Sequence, residues 1–335
     1  MERRDPDGRT GPDRPRRPES IVRVGIGAGE VQAGLDDGVA PTRRALPLGD
    51  EPPFSMTETF APVAWSAGRW PNEDWIDGRF WWVGREADRT VWRCLARTGV
   101  AQALLCWGDA SSDRDTEWFA RICRPFSSVE EGIADPEILR LRRRYPGTRT
   151  FCYGTLFDGV VASIVGQSIS LAAAGVTAGR LASLFHPGVR LAERTFRPLP
   201  SPADLANAPP AMIRQSGVTS KRAQALCAVG KLFADLSLPD VPDAATLSDV
   251  ESALLEVPGI GPWTVASSML WGIGRPDAFP RGDVALLRAA RSVYRIDDLD
   301  MNGLVRLSEA WRPHRGEASR LLWLDLLGPA PESKA

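Results

Sequence analysis

The spacing of apolar residues divides the chain into two folded parts. Between residues 53 and 134, short aromatic and β-branched runs such as Phe80–Val83 alternate with Gly, Asp and Asn turns, which predicts antiparallel strands. From residue 135 onward, apolar residues recur at helical spacing, as in Phe157–Val165. The pattern therefore predicts an α+β, mainly α fold: an N-terminal antiparallel β-sheet domain at 53–134, then an all-helical domain at 135–328.

The two ends of the chain and one internal break complete this division. Residues 1–52 are rich in Arg, Pro, Gly and Asp and have few large apolar residues, which predicts a disordered extension. Residues 329–335 are expected to form a tail. The helical domain is expected to have seven to nine helices, and Gly166–Ser170 offers a break inside the long apolar stretch that begins at Phe157.

Composition narrows the possible chemistry. The chain of 335 residues has a net charge of −1, so a nucleic-acid partner must be argued from local motifs rather than from a basic surface. No apolar run approaches the roughly 20 residues of a membrane helix, and we expect no membrane partner. The five cysteines are odd in number and form no CxxC pair, which favours reduced thiols and a cytoplasmic protein. With only two histidines, catalysis should depend on carboxylates.

The sharpest motif is a tight connection between two helical patterns. Pro258–Gly261, a Pro-Gly-Ile-Gly sequence, interrupts helical spacing that resumes directly afterwards. Glycines there allow positive φ and leave backbone amides unobstructed, and amides at a helix start suit an anion such as a phosphate oxygen. The alternative is a plain connection, because many glycine-rich turns between helices bind nothing.

A second element follows about twenty residues later. Asp283 lies where Gly282 ends a loop and an apolar-periodic helix begins. As an N-cap it would accept backbone hydrogen bonds and lie at the positive end of the helix, and both effects are expected to hold it ionised. Taken alone, a plain cap is the more common role for such an aspartate.

Together, Val257–Gly261 and Asp283 resemble the helix-hairpin-helix (HhH-GPD) DNA glycosylase superfamily, and within it the DNA-3-methyladenine glycosylase II branch is most similar. The resemblance covers roughly residues 135–328. Further segments agree with it: Phe157 through Gly166-Gln167, the helix start Ser220–Ala223, and Trp311–Arg315 leading through Ala318 to Trp323.

The resemblance implies a monofunctional DNA glycosylase of base excision repair. Such an enzyme hydrolyses the N-glycosidic bond of damaged bases, here alkylated purines, after flipping the nucleotide out of the duplex. It implies Asp283 as the catalytic carboxylate that stabilises an oxocarbenium-like transition state. The expected partner is double-stranded DNA containing damaged bases. We expect a monomer that requires no cofactor and is located in the cytoplasm, at the nucleoid.

The resemblance also assigns residues around Asp283. The base pocket would be formed by Trp263, Trp323 and Gln167, although a buried structural role is an equal alternative for each tryptophan. DNA contacts are implied for a set around the hairpin and the Gly166–Ser170 break: Gly259, Ile260, Gly261, Thr264 and Ser168. The family further implies a structural Na⁺ or K⁺ held by main-chain carbonyls of the hairpin, which map to Leu255, Val257 and Ile260.

Three positions refine or question the assignment. Bifunctional members carry a lysine two residues after the second hairpin glycine, and this chain has Trp263 there, which implies base release without lyase activity. Ser168 stands where relatives place a bulky wedge, and Ser267 where one would carry a pocket aromatic. Two alternatives therefore stay open: a non-catalytic HhH DNA-damage-binding protein, and a glycosylase of the same fold for oxidised or mismatched bases.

Overall fold

The structure is a computed structural model. It describes eleven stretches of the chain: 23–27, 30–34, 42–48, 54–86, 89–97, 103–108, 112–126, 133–235, 238–239, 241–243 and 245–332. Within them, the predicted α+β, mainly helical fold is confirmed, with an antiparallel sheet preceding a helical domain.

The N-terminal sheet has five antiparallel strands in the order β3-β7-β6-β5-β4. The strands of this sheet are β3 (Thr42–Pro47), β4 (Glu73–Ile76), β5 (Arg79–Glu86), β6 (Arg89–Arg97) and β7 (Ala103–Gly108). The hairpin between β4 and β5 turns on Asp77 and Gly78, which both have positive φ, and an Asp-Gly pair is a strong signal for such a two-residue turn. Edge strand β4 supplies one residue, Glu73, to the cavity described below.

The structure differs from the expectation for residues 1–52. Thr42–Pro47 forms strand β3 and pairs with β7, and its Leu46 is almost completely buried. Two further strands, β1 (Arg23–Gly27) and β2 (Glu30–Gly34), pair with each other as a hairpin. A single buried leucine among arginines and prolines carries little sequence signal, which is why composition missed this strand. The rest of the predicted extension lies outside the described residues.

Three helices pack against the sheet: α1 (Met56–Thr59), α2 (Ala61–Trp65) and α3 (Ser112–Ile122). Their shared core is aromatic. Phe60 stacks on Phe80 with ring centroids 4.4 Å apart, and Phe151 meets both edge-on. Much of the tryptophan-rich sequence of this domain therefore serves packing, although two of its tryptophans reach the cavity below.

The helical domain is formed by eleven described α-helices: α4 (Pro136–Arg144), α5 (Leu156–Gly166), α6 (Leu171–Ser183), α7 (Pro202–Asn207), α8 (Pro210–Ile213), α9 (Ser220–Asp235), α10 (Leu247–Leu255), α11 (Pro262–Ile273), α12 (Val284–Tyr294), α13 (Met301–Ser308) and α14 (Arg315–Leu327). This number exceeds the expected seven to nine, and α7 and α8 are among the shortest. Both start at proline and are too short to show helical periodicity. A small hairpin, β10 (Val189–Leu191) with β11 (Arg194–Phe196), separates α6 from α7.

The two domains are joined at several points. Strand β8 (Cys123–Pro125) pairs with β9 (Arg149–Phe151), so main-chain hydrogen bonds join the two domains. The predicted C-terminal tail also takes part. The Ala330 amide donates to the Thr57 carbonyl at 2.8 Å, and the Trp75 indole donates to the Pro331 carbonyl at 2.7 Å.

Helices α5 and α11 cross in unusually close contact. A Cβ added at Gly159 would lie 2.5 Å from the Cα of Gly272, so neither position has room for a side chain. The predicted break after α5 is present, and α6 leaves it at an angle of 118°. Among the described helices, none is long and apolar enough by itself to cross a membrane, and α5 and α6 pass that test only as this bent pair.

Candidate active site

The helical hairpin lies between α10 and α11. Gly259 has a φ of +99°, so its conformation favours glycine, and its Cβ position would be in ordinary contact with Lys221 at the start of α9. Gly261, with φ −117° and ψ 177°, has extended backbone that any residue adopts. A Cβ at Gly261 would meet nothing within 4 Å. Only the first glycine is therefore required by the turn, whereas the second leaves the surface in front of α11 open.

The N-terminus of α11 is suited to an anion. No side chain caps it, and Pro262 occupies its first turn. The first amides of a helix lack intrahelical partners and form its positive end. The Ile260 amide, in contrast, donates to the Val257 carbonyl at 3.0 Å, and the Ile260 side chain is buried in the core. Both groups are used inside the turn, so the expected DNA contact through Ile260 gains no support from them and stays a prediction.

Two other residues predicted for the site, Gln167 and Thr264, are hydrogen-bonded to each other at the hairpin. The Gln167 side-chain amide donates to the Gly259 carbonyl and to the Thr264 hydroxyl, both at 2.9 Å. Arg222 of α9 in turn donates to the Gln167 carbonyl. Gln167 does not line the cavity, contrary to the prediction, because its amide is satisfied by the hairpin. Thr264 is only 3% exposed, so a DNA contact from it is restricted to its main-chain amide.

The predicted cation site is formed by carbonyls alone. Within the turn, the Val257 carbonyl accepts the Ile260 amide. A carbonyl oxygen has a second lone pair, so this hydrogen bond does not prevent the Val257 carbonyl from acting as a donor with those of Leu255 and Ile260. The cation itself stays a prediction.

The break between α5 and α6 carries Ser168 with a φ of +55°. Ser168 is exposed, as a DNA contact requires, but it offers no apolar bulk. The next residue, Ile169, does: it is 37% exposed, unusual for a large apolar side chain, and it lines the cavity beside the break.

Asp283 is the N-cap of α12. Its Oδ1 accepts the Leu286 amide at 2.8 Å, and its Oδ2 accepts the indole N–H of Trp263 at 3.4 Å. Burial raises the pKa of this carboxyl above its ordinary value, although the Leu286 amide, the Trp263 indole and the Ala285 amide each act in the opposite direction. The direction of the pKa shift is therefore opposite to the one expected from capping alone, because desolvation outweighs the donors.

Asp283 opens into a cavity of about 270 Å³, close to the lower end of small-ligand pockets. Its walls are mainly aromatic and come from both domains. Trp263 and Trp323 line it as predicted from the resemblance, and Ser267 lines it too. The tryptophans, tyrosine and phenylalanine of the cavity wall are Trp65, Trp70, Trp263, Trp271, Trp323, Tyr153 and Phe151. A flat, base-sized ligand would find stacking surfaces on several sides.

Sequence reasoning missed several of these residues. Trp271 stacks on Trp323 at 5.4 Å between ring centroids, and it follows Trp263 and Ser267 at four-residue steps on α11, a spacing that could have identified it. Trp70 stacks on Tyr153 at 6.2 Å with rings 5° from parallel. Trp65 and Trp70 lie between strands β3 and β4, and no helical or strand period connects them to the hairpin. Their position depends on how the domains pack.

Comparison with known proteins agrees with this geometry. Residues 161–313 match the sequence model of the HhH-GPD superfamily base excision DNA repair proteins. DNA-3-methyladenine glycosylase 2 of Escherichia coli is 29% identical over 213 residues, 62% of this chain and 71% of the relative. AlkA of Mycobacterium tuberculosis, named a probable bifunctional transcriptional activator/DNA repair enzyme, is 31% identical over 210 residues, 61% of this chain and 40% of the relative. The chain thus spans less than half the length of the mycobacterial protein.

The fold is also similar to solved structures. A 3-methyladenine DNA glycosylase from Archaeoglobus fulgidus superposes with a TM-score of 0.64 at 16% identity, over 84% of this chain and 97% of that one. At this identity the likeness establishes the fold alone.

Proposed function

Since residues 161–313 of this chain belong to the HhH-GPD superfamily of base excision DNA repair proteins, we propose that the protein is a monofunctional DNA glycosylase that releases damaged purines, alkylated ones above all, from duplex DNA. The proposal rests on how Asp283, the cavity and the hairpin lie next to one another. A half-buried carboxylate, Asp283, opens into a tryptophan-walled cavity next to a helical hairpin with an uncapped, open helix start.

The cavity accounts for the preference for alkylated purines. A base must leave the duplex stack to reach Asp283, and the flipped base would lie among Trp263, Trp271 and Trp323. Alkylation at a ring nitrogen gives the base a positive charge, and electron-rich indoles attract a cation over their faces. The same charge makes the base a good leaving group, so the protein needs little more than to stabilise the sugar.

Asp283 would provide that stabilisation. Breaking the bond from C1′ to the base nitrogen leaves positive character on the deoxyribose. A carboxylate held by Leu286 and Trp263, with no freedom to reorganise, stabilises this charge and can orient the attacking water. Because burial raises its pKa, base release should decline as the pH falls through that raised value, since the neutral acid cannot stabilise a cation.

Trp263 supports release without strand cleavage. A lyase step requires an amine that attacks C1′ and forms a Schiff base. At the position where bifunctional relatives carry that lysine, this chain has an indole that donates its N–H to Asp283. The expected product is an intact abasic site.

The hairpin would bind the DNA backbone. Amides at the N-terminus of α11 suit a phosphate without positive side chains, which removes the objection raised by the net charge of −1. Exposed Lys221 lies against the hairpin, and exposed Arg281 belongs to the loop before Asp283, so local positive charge adds to this site.

Gly261→Ala tests the hairpin. The backbone angles allow alanine and the Cβ meets no atom within 4 Å, so folding should change by less than about 1 kcal/mol. The methyl group would stand where a phosphate approaches, and we expect duplex binding to weaken about tenfold, roughly 1.4 kcal/mol. Fluorescence anisotropy with an abasic-site duplex measures it. Unchanged affinity in a stable variant would place the DNA elsewhere.

A panel of duplexes tests the function itself. We expect base release from DNA carrying 7-methylguanine or 3-methyladenine, with no strand nicking and no borohydride-trapped adduct. Release of oxidised or mismatched bases instead would favour the same fold with another lesion. Tight binding to abasic DNA with no release from any duplex would favour a non-catalytic damage-binding protein.

A further inference from the structure

The cavity contains a second carboxyl group, far from Asp283 in sequence. Glu73 belongs to edge strand β4 of the N-terminal sheet and is only 4% exposed, yet it lines the cavity. Its Oε2 has no hydrogen-bond partner among the described residues. Trp70 Nε1 and Ser163 Oγ, also on the cavity wall and also buried, share this property.

Such a cluster is unusual in a folded protein. Buried polar atoms nearly always find partners, because an unpaired one costs about 1–3 kcal/mol of desolvation. Three unpaired polar atoms on one cavity wall indicate a surface that is completed by a ligand. A ligand that completes this wall needs a hydrogen-bond acceptor for the indole N–H, whereas the hydroxyl and the carboxyl group can each donate or accept.

Burial and the neighbouring carboxylates raise the pKa of Glu73 and so favour its neutral form. Burial is the main cause, and Asp74 and Asp158 add negative charge beside it; Arg194 is the one facing cation that acts in the other direction. Arg194 is already occupied, because its guanidinium donates to the Asp74 carboxylate and to the Trp70 carbonyl. These effects raise the pKa of Glu73 to about 8. Tyr153 is also close, and burial holds its pKa far above the ordinary value, so it adds no charge.

The cavity therefore joins two carboxyl groups of different character. Burial raises the pKa of both groups, but Asp283 accepts hydrogen bonds from an amide and an indole that act against this rise. Glu73 lacks such donors and lies beside two other carboxylates. Two acids whose surroundings separate their protonation states are suited to opposite roles, one as anion and one as proton donor.

We propose that the Glu73 carboxyl group is the general acid that donates its proton to a flipped purine carrying no positive charge. The inference rests on the proposed glycosylase function. A cationic base leaves as a neutral molecule, but a neutral base would leave as an anion, which is a poor leaving group. A proton donated to the neutral base lets it leave as a neutral molecule too.

The bond between C1′ and the base nitrogen breaks, and its electron pair goes to the base. The proton moves from Glu73 to an acceptor atom of the base, which departs neutral and leaves Glu73 as a carboxylate. Water adds to C1′ and loses one proton to Asp283 or to solvent. Glu73 then recovers a proton from solvent once the base has left.

Glu73→Gln (E73Q) tests this directly. Glutamine keeps the shape and hydrogen-bonding capacity but cannot transfer a proton. The probes are two duplexes, one with a single hypoxanthine, a neutral purine, and one with a single 7-methylguanine, a cation. We expect hypoxanthine release to fall about a hundredfold and 7-methylguanine release to change by less than about threefold. The ratio of wild-type to E73Q rates on hypoxanthine should also decline as the pH rises through about 8, and ionisation of the base cancels in this ratio.

Glu58→Gln is the matched control. Glu58 in α1 is also partly buried with a pKa raised by burial, but it accepts the Thr148 hydroxyl and does not line the cavity. It should leave both rates unchanged.

The outcomes separate the two proposals. If wild type releases 7-methylguanine but not hypoxanthine, or if E73Q lowers both rates equally, the role of Glu73 is wrong and the glycosylase function stands. If wild type releases neither base nor any other on the panel, the proposed glycosylase function is wrong, and the role of Glu73 that rests on it is wrong as well. Unchanged 7-methylguanine release by E73Q also serves as the proof of correct folding.

Discussion

Asp283→Asn should slow base release by a factor of about a hundred to a thousand, equivalent to roughly 3–4 kcal/mol of transition-state stabilisation. The asparagine oxygen can still accept the Leu286 amide, and asparagine is as good an N-cap as aspartate. The loss would thus come from the missing negative charge. Single-turnover release of 7-methylguanine measures it, and retained affinity for abasic DNA should accompany it.

Asp300→Asn is the matched control for that prediction. Asp300 caps α13 as Asp283 caps α12, with its carboxylate accepting the Gly303 amide at 2.6 Å, but it is exposed and does not line the cavity. Activity should be unchanged in this variant. If Asp283→Asn kept more than a tenth of the wild-type rate, Asp283 would be a cap and no more.

Stability provides an independent sign of function at Asp283. Because its pKa is raised in the folded state, the folded protein favours the neutral acid. The stabilising contribution of that form is present below the ordinary pKa and is lost as the pH rises through the folded value. At neutral pH the ionised carboxylate is therefore unfavourable for folding. Such a cost is typical of residues kept for activity.

Gly159→Ala is expected to lower the free energy of unfolding by about 3 kcal/mol or more. The new Cβ would lie 2.5 Å from Gly272 Cα and 2.6 Å from the Ser268 carbonyl oxygen, both backbone atoms that cannot rotate away. Helices α5 and α11 would have to separate, and together they provide much of the cavity wall. Chemical denaturation measures the loss.

Gly179→Ala on α6 is its control. A Cβ there would approach the Arg69 carbonyl no closer than 4.0 Å, so the substitution should stabilise the helix by up to about 1 kcal/mol. The two glycines are both helical, and only tertiary packing distinguishes them. Equal effects at both positions would contradict the close contact of α5 with α11.

The candidate site shows which predictions depended on local chemistry and which did not. The Pro258–Gly261 turn and the cap at Asp283 involve residues within a few positions of each other, so their patterns indicated them. Gln167 was placed in the cavity from sequence, but its amide is used by Gly259 and Thr264, almost a hundred residues away. No local pattern reports on a bond of that range.

Sequence by itself determined the order of the two domains, the helical hairpin, the capping aspartate and the absence of a lysine at Trp263, because each depends on periodicity, turn chemistry or identity at one position. Only the tertiary structure decided that β3 completes the sheet, that Gly159 and Gly272 touch, and that Glu73, Trp65 and Trp70 share a cavity with Asp283. The physical reason is that burial arises from chain segments distant in sequence. It is burial that raises the pKa of Asp283 and of Glu73.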